Sequence, residues 1–222
     1  MRSTIGVSVL LLALMDPVHG CGQVDDGPDS NGDTGAGAAA AANGDLSMQE
    51  PTNRLTPEEE AAGWKLLFDG TLAGWRGYRR EGIPAGWGVR DGALVFTPGR
   101  GGGTLITVDR YADFELVLEW KIEEGGNSGI FYRATEDEVA PYWTGPEMQV
   151  LDNEGHPDGR RPVTSAGSNY ALHAPTRDVA RPVGEWNEVR IVARGPQVEH
   201  WMNGTRIVAY ELWSDEWRAL VE

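Results

Sequence analysis

Apolar and polar residues alternate most regularly between residues 114 and 122. The apolar members of this segment are Phe114, Leu116, Leu118, Trp120 and Ile122, and the charged members between them are Glu115, Glu119 and Lys121. Successive side chains of a strand point to opposite faces of its sheet. The pattern therefore predicts a half-buried strand of an antiparallel sheet, with its apolar face on the core.

Shorter apolar runs between turn residues predict further strands. The expected strands span residues 87–90, 93–96, 128–133, 146–151, 168–173, 186–193, 198–202 and 206–210. Asp91-Gly92 and Asn203-Gly204 are strong signals for tight hairpin turns, and Gly195-Pro196 is expected to form another turn. Many short strands joined by such turns indicate an all-β sandwich or jelly roll.

Short helices are expected at both ends of this β-rich region. Thr56 before Pro57 has the pattern of an N-cap followed by proline at the first helical position. Ser214 is in turn expected to cap a final helix. We therefore assign residues 55–222 to one globular domain.

The first 54 residues differ from the rest of the chain. An apolar run from Ile5 to Met15 is too short to span a bilayer and is followed by Cys21, so residues 1–21 are predicted to be an export signal. The segment resembles a bacterial lipoprotein signal, which implies that Cys21 carries a lipid and that the protein lies in the cell envelope. Asp16, Pro17 and His19 depart from that pattern, so the alternative is an ordinary cleaved signal with an incidental cysteine.

The composition of the chain indicates a flexible segment near its N-terminus and limits the kinds of molecule that the protein is expected to bind. Residues 22–54 consist largely of Gly, Ala, Asp and Asn, which favours a flexible tether. The chain has 34 acidic and 19 basic residues among 222, a formal net charge of −15. Such a charge repels nucleic acid and anionic lipid headgroups, so the lipid anchor is the expected link to the membrane. A single cysteine excludes an internal disulfide framework.

Candidate chemistry lies on the strand expected at 146–151. Glu147 and Gln149 are two residues apart, so their side chains share one face of the strand. Sugar hydroxyl groups need paired donors and acceptors, and a carboxylate can also transfer a proton. This pair therefore points to a sugar site, although a solvated pair on the outer face is the alternative.

Several motifs in this chain occur together in one bacterial family. They are Trp64-Lys-Leu-Leu-Phe-Asp-Gly-Thr71, Gly126-Asn-Ser-Gly-Ile-Phe-Tyr-Arg133, Gly145-Pro-Glu-Met-Gln-Val-Leu-Asp152, Ser168-Asn-Tyr-Ala-Leu172, Val183-Gly-Glu-Trp-Asn187 and Val198-Glu-His-Trp-Met-Asn-Gly204. The chain resembles the 3-keto-disaccharide hydrolases, also described as 3-keto-glucoside 1,2-lyase/3-keto-2-hydroxyglucal hydratases. The resemblance implies a concanavalin A-like jelly roll, export, and sugar substrates oxidised at C3. It also implies further strands after the final helix, so we expect a shortened gene product.

The implied reaction begins with proton abstraction at C2, beside the 3-keto group. It needs one base, one acid near the leaving oxygen, and a group that stabilises the enolate. We expect Glu147 to act as base or acid and Gln149 to bind a hydroxyl or the keto oxygen. The chain resembles jelly-roll glucanases at this strand, but those enzymes have a carboxylate at the position of Gln149. The amide here therefore disfavours a double-displacement mechanism. Arg133 is a candidate for stabilising the enolate.

Other residues are candidates for contacts with the substrate. Asn127 either binds hydroxyl groups or caps the turn that precedes its strand, and Trp143 is the best candidate for stacking against a sugar ring. Tyr170 is also predicted to contact the substrate. His200 is a catalytic candidate, but its apolar neighbours on the same strand face favour a core position.

Two open questions concern a metal and the function class. Asp152 and His156 lie in an oxygen-rich loop that suits a divalent ion, although acidic turns are common and the spacing matches no known metal loop. The alternatives to an enzyme are a non-catalytic carbohydrate-binding lipoprotein and a purely structural surface lipoprotein. The Glu147/Gln149 pair favours the enzyme, because simple lectins rarely need a carboxylate aligned for proton transfer.

Overall fold

A computed structural model describes residues 53–222, together with the backbone of residues 5–8 and 12–13. The strands are β1 (Ile5–Ser8), β2 (Leu12–Ala13), β3 (Trp64–Lys65), β4 (Trp75–Gly77), β5 (Trp87–Arg90), β6 (Ala93–Phe96), β7 (Leu105–Thr107), β8 (Phe114–Lys121), β9 (Asn127–Phe131), β10 (Glu147–Leu151), β11 (Asn187–Arg194), β12 (Gln197–Met202) and β13 (Thr205–Glu211). The α-helices are α1 (Pro57–Ala61) and α2 (Asp215–Val221), and short 3₁₀ turns span Pro141–Trp143, Pro157–Arg160 and Pro162–Thr164.

The strands form one large sheet and two small pairs, all antiparallel. The large sheet has the order β13–β12–β11–β8–β1–β6–β5, with β2 pairing with both β3 and β8. The small pairs are β9 with β10 and β4 with β7. The prediction of an all-β jelly-roll fold with short helices is confirmed.

The core lies on the apolar face of β8, as the alternation predicts. Leu118 and Trp120 are buried there, and Leu118 lies opposite Val189 on β11. Ile191, also on β11, is fully buried. Burying each such side chain stabilises the fold by about 1.5–3 kcal/mol.

Two predicted hairpins form with the expected turn chemistry. Asp91 and Gly92 have φ angles of 52° and 72°, and Asn203 and Gly204 have 48° and 76°. Positive φ at both central residues matches the type I′ turn, whose twist suits the flanking strands. Asp and Asn tolerate this conformation better than other non-glycine residues, which explains their place in these turns.

The helix predictions are also confirmed. The Thr56 side chain accepts a hydrogen bond from the Glu59 backbone N–H (3.2 Å), while the Glu59 side chain accepts one from the Thr56 N–H (2.7 Å). The Ser214 side chain accepts from the Trp217 N–H at 3.1 Å and begins α2. None of the helices that the structure describes is both long and apolar enough to cross a membrane.

The strand predicted at residues 168–173 is wrong. Asn169 and His173 exchange backbone hydrogen bonds of 3.1 and 2.9 Å, which closes this segment into a tight loop. Ala171 within it has a φ of 62°, outside the range of a strand. The segment nevertheless lies along β10, where the Tyr170 N–H donates to the Glu147 carbonyl oxygen at 3.0 Å.

The N-terminal predictions are largely outside the described residues. Cys21 and residues 22–52 of the expected tether are not described. The apolar run that we assign to the export signal contributes strands β1 and β2. Strand β1 lies between β6 and β8. The export signal, the lipid and the tether remain predictions.

Candidate active site

A cavity of about 880 Å³ is lined by the large sheet and by both small strand pairs. Apolar residues of β6 and β8 contribute to it, and residues of β7 and β9 also line it. This volume falls within the range of about 300–1,000 Å³ that is typical of small-molecule sites. Glu147, Asn127 and Arg133, three of the residues predicted from the sequence, line this cavity.

Glu147 has the environment of a functional carboxylate. Its side chain is partly buried and lies across Gly129, and its carboxylate forms no hydrogen bond or ion pair with a described residue. Burial raises its pKa from 4.5 to about 7. A buried carboxylate without a cation is costly unless it is protonated, and such groups cluster at functional sites. At neutral pH, Glu147 can therefore either accept or donate a proton.

Gly129 makes this position of the Glu147 side chain possible. A Cβ atom at residue 129 would lie 1.7 Å from Glu147 Oε1 and 2.5 Å from its Cδ. Any side chain at residue 129 would therefore displace the carboxylate. The sequence predicted a strand through this glycine but not its contact with Glu147.

Tyr170 lies next to Glu147 through the backbone pairing, but it is not among the residues that line the cavity. The bridge between Met148 and Asn169 places residues 147 and 170 opposite each other, and directly opposite residues of an antiparallel pair have neighbouring side chains. The Tyr170 hydroxyl donates to Asp158 Oδ2 at 3.2 Å. Burial raises the pKa of Tyr170, and the negative charges of Asp158 and Glu147 raise it further.

Asn127 belongs to the same polar group. Its side-chain nitrogen lies 3.4 Å from His156 Nε2 and 3.5 Å from Asp158 Oδ2. Asp158 thus connects Asn127 with Tyr170, although nothing in the spacing of these residues along the chain links them. Sequence reasoning placed Asp158 in the oxygen-rich loop but not beside Asn127 and Tyr170, because only the fold of the loop after β10 brings it here.

Gln149 is less accessible than predicted. Its side chain is 1% exposed, and its Oε1 accepts from the Val150 N–H at 3.2 Å. A substrate would reach this amide only after a rearrangement. Its contact with substrate remains a prediction, and the structure gives the amide a packed position beside Glu147 instead.

Arg133 binds backbone and side-chain oxygens from two loops. Its guanidinium donates to the carbonyl oxygens of Ala112 (2.8 Å) and Gly195 (2.5 Å) and to Asp113 Oδ1 (2.8 Å). These bonds fix the end of β9 against both loops. Stabilisation of an enolate by Arg133 remains a prediction, and its Nε, Nη1 and Nη2 atoms each already donate one hydrogen bond.

His200 lies in the core. It is 0% exposed, its Nε2 is 2.6 Å from the Tyr132 hydroxyl, and its Nδ1 is 3.0 Å from the Gly167 carbonyl oxygen. The Tyr132 hydroxyl is also 2.5 Å from that of Tyr210. Burial lowers the pKa of His200 to about 4. The neutral ring donates through Nδ1 and accepts at Nε2, which is a structural role; direct catalysis by His200 remains a prediction.

Asp152 and His156, the residues predicted to bind a metal, accept hydrogen bonds from the backbone, and metal binding by them remains a prediction. Asp152 accepts hydrogen bonds from the backbone N–H groups of Gly125 (2.7 Å), Glu154 (3.1 Å) and Gly155 (3.0 Å). Burial alone would raise the pKa of Asp152, but these bonds together lower it. His156 Nδ1 accepts from the Asp158 N–H at 3.2 Å. In the part of the chain that the structure describes, His, Cys, Asp and Glu form no group of three or more able to hold a metal ion.

Trp143 is displayed at the surface. It is 66% exposed and lies in the 3₁₀ turn before β10, with its ring centroid 5.4 Å from that of Tyr142. Trp143 is not among the residues that line the cavity. Its stacking role is a prediction that concerns this outer surface.

Comparison with known proteins assigns the chain to a family. Residues 63–222 match the family model described as the 3-keto-alpha-glucoside-1,2-lyase-like domain. The chain belongs to this family. Every residue of the candidate site lies within the matched region, whereas Cys21 and the tether lie outside it.

A named relative agrees with the family assignment. The chain is 37% identical over 184 residues to a 3-keto-disaccharide hydrolase of Bacteroides thetaiotaomicron, an alignment that covers 73% of this chain and 63% of that protein. The chain thus spans less than two thirds of the length of that relative.

Solved structures show the same fold. A candidate glycosyl hydrolase from Parabacteroides distasonis is 34% identical, with a TM-score of 0.68, over 76% of this chain and 81% of that one. A second protein from the same organism, also named as a candidate glycosyl hydrolase, is 27% identical, with a TM-score of 0.56, over 67% and 72% of the two chains. The fold that positions Glu147 at the cavity is therefore shared with these two proteins.

Proposed function

We propose that this protein is an enzyme that cleaves 3-keto-glucosides, with Glu147 as the group that moves the C2 proton. The observation that carries the proposal is the Glu147 carboxylate, which lines a ligand-sized cavity, has no cationic partner among the described residues and has a pKa raised to about 7. A general base works best when its pKa lies near the working pH. The relative from Bacteroides thetaiotaomicron, a 3-keto-disaccharide hydrolase by name, supports the choice of substrate.

The reaction proceeds by elimination and then addition of water. The ionised Glu147 takes the proton from C2, which the neighbouring C3 ketone makes acidic. The electron pair of that C–H bond forms the C1–C2 double bond as the C1–O bond breaks, and the leaving oxygen takes up a proton. Water then adds to C1 and a proton returns to C2, which yields the free 3-keto sugar and the released alcohol.

Tyr170 is the candidate for protonating the leaving oxygen. It lies opposite Glu147 across the backbone pairing, and its raised pKa keeps the phenol protonated at neutral pH. The hydrogen bond to Asp158 fixes the position of its hydroxyl. Tyr170 is not among the residues that line the cavity, so the proposal requires its hydroxyl to reach the leaving oxygen from the adjoining loop.

The test is the variant Glu147→Gln. Turnover of a 3-keto-glucoside is monitored by the absorbance of the enone intermediate. We expect turnover by this variant to fall to background, because an amide cannot accept the C2 proton. For the wild-type enzyme, kcat/KM should rise with pH through about 7, since the base must be ionised. Glu138→Gln, at an exposed carboxylate, is the matched control and should retain activity. Full activity of Glu147→Gln would remove this residue from the mechanism.

The second candidate function is carbohydrate binding without catalysis. The exposed pair Tyr142 and Trp143 favours it, because two adjacent aromatic rings at a surface offer a stacking platform for sugars. Binding of unoxidised glycans that depends on Trp143, together with no turnover of 3-keto-glucosides, would support this function over the enzyme.

We also propose export with lipidation at Cys21, on the basis of the sequence alone. The expected result is incorporation of labelled fatty acid into the expressed full chain and its loss in Cys21→Ser. Labelling that persists in Cys21→Ser would contradict the proposed site.

A further inference from the structure

We propose that Trp213 stacks against the second sugar of a 3-keto-disaccharide, the sugar that is released from C1; this inference rests on the proposed function. Of the large apolar side chains that are exposed in the described part of the chain, Trp213 is the one that lines the cavity. It is 54% exposed and lies outside the buried core. An indole ring offers a flat apolar face to the C–H groups of a sugar ring.

The backbone of Trp213 is held in an unfavourable conformation. Its φ is 63°, in the left-handed region that a bulky residue other than glycine rarely adopts. Both neighbours fix this turn, because the N–H of the buried Leu212 donates to the Pro196 oxygen (2.8 Å) and the Ser214 hydroxyl donates to the Glu211 oxygen (2.9 Å). Backbone strain of this kind clusters at ligand sites. Since glycine would fit the turn without strain, the indole ring itself is indicated as the functional part.

Arg133 holds the indole ring at the cavity. Its guanidinium lies over one face of the Trp213 ring, with Cζ 5.8 Å from the ring centroid. A cation over an aromatic face is an attractive contact. The hydrogen bonds of Arg133 to Ala112, Asp113 and Gly195 keep the guanidinium in place. Because Arg133 covers one face only, the rest of this exposed ring remains open to a ligand.

Polar groups adjoin Trp213 through Arg133. Asp113 Oδ1 accepts from Arg133 and from the Gly195 N–H (2.9 Å), whereas Oδ2 has no hydrogen-bond partner among the described residues. The loop that supplies Asp113 also places Arg110 at the cavity, as an exposed cation without a hydrogen bond to a described residue. Such an acceptor and such a donor can satisfy the hydroxyl groups of a sugar. Further polar residues of the cavity wall are Tyr78, Thr104, Thr107 and Asp109.

The position of Arg133 indicates which of the two sugars lies against Trp213. Phe131 pairs with Glu147, and Arg133 follows Phe131 by two residues, or up to roughly 6.6 Å along the chain. A ring that Arg133 holds is therefore displaced from Glu147, which has to contact C2 of the keto sugar. The neighbouring place belongs to the sugar that leaves from C1.

The test compares a 3-keto-disaccharide of two glucose units with methyl 3-keto-glucoside, which lacks the second ring. We expect Trp213→Gly to lower kcat/KM for the disaccharide by about tenfold, near the upper end of what one aromatic contact contributes. The value for the methyl compound should stay unchanged. Glycine accepts a positive φ, so the variant should not lower the melting temperature. Trp213→Tyr keeps an aromatic ring and should restore most of the preference.

The matched control is Leu220→Ala. Leu220 is an exposed apolar residue of α2 that does not line the cavity, so this variant should keep the wild-type ratio of the two kcat/KM values. An unchanged ratio in Trp213→Gly, or an equal loss for both substrates, would overturn the inference while leaving the proposed function intact. A lower melting temperature with an unchanged ratio would show that the ring is only structural.

Binding separates this contact from turnover. In Glu147→Gln, titration calorimetry should show that the added change Trp213→Gly weakens binding of the disaccharide by the same factor and leaves binding of the methyl compound unchanged. Equal affinities with and without the indole ring would overturn the inference. If the wild-type protein turns over neither substrate, the proposed reaction fails, and the binding measurement still decides whether Trp213 contacts the second sugar.

Discussion

At the scale of single residues, the position of the Glu147 carboxylate depends on the absence of a side chain at residue 129. The carboxylate occupies the space where a Cβ atom would lie, in a partly buried site that raises its pKa to about 7. Sequence reasoning found Glu147 from its pairing with Gln149 on one strand face, but it also expected Gln149, which is buried, to bind the substrate. Burial on one strand face depends on the loop that covers it, and the alternation pattern does not contain that information.

Gly129→Ala is expected to reduce kcat/KM by about 10²-fold, the usual cost of displacing a catalytic group by an ångström. The new methyl group would collide with the Glu147 carboxylate. The measurement is steady-state turnover of a 3-keto-glucoside. Gly88→Ala is the matched control, because it also lies in a strand and a Cβ there meets nothing within 4 Å. Equal activity of the two variants would contradict this account of Gly129.

At the scale of elements, the structure departs from the sequence predictions where contacts are long-range. The hairpins at 91–92 and 203–204 follow from local turn chemistry and were predictable. Strands β4 and β7 are three residues long, too short for an alternation pattern, and were not predicted. The segment 168–173 has the composition of a strand, but its own backbone hydrogen bonds close it into a loop. A local sequence pattern cannot show whether the segment 168–173 pairs with β10 over several residues or contacts it at a single bridge.

Arg133 is expected to contribute to stability by fixing the end of β9. Arg133→Gln should lower the free energy of unfolding by about 2 kcal/mol, since charged hydrogen bonds typically contribute 1.5–3 kcal/mol. Urea denaturation provides the measurement, and Arg100→Gln, at an exposed position, is the control. A loss of kcat of about 10²–10³-fold with unchanged unfolding would instead show that Arg133 stabilises the enolate.

At the scale of the whole molecule, two buried groups are expected to have opposing effects on acid stability. The pKa of His200 is lowered from 6.5 to about 4, so the unfolded chain binds the extra proton between these values and stability falls as the pH falls. The pKa of Glu147 is raised from 4.5 to about 7, so the folded protein keeps its proton longer and stability falls as the pH rises through that window. Between about pH 4.5 and 6.5 the two effects offset each other.

Glu147→Gln should therefore make stability more dependent on pH. With the Glu147 effect removed, the His200 effect adds up to about 1.4 kcal/mol per pH unit between pH 4.5 and 6.5. Urea denaturation at a series of pH values measures the slope for both proteins. The same slope in the variant and in the wild type would contradict the assignment of these two groups.

The overall fold was largely predictable from the chain, and the arrangement of the site was not. The alternation of β8 predicted the central strand of the core, and the family motifs predicted the jelly roll. The contacts that define the site join distant residues, such as Asn127 with His156 and Tyr170 with Asp158. Such contacts depend on how the loop after β10 folds back, for which no spacing rule exists.

Among the described strands, β9 pairs only with β10, and its other edge bears on how this protein behaves in concentrated solution. A strand with free N–H and C=O groups is a template for extended segments of other chains, and β7 presents a second such edge to the same cavity. Neighbouring molecules, above all partly unfolded ones, are therefore expected to associate through this opening at high concentration. A tightly held ligand would block the opening, so solubility as well as turnover depends on whether the cavity is filled.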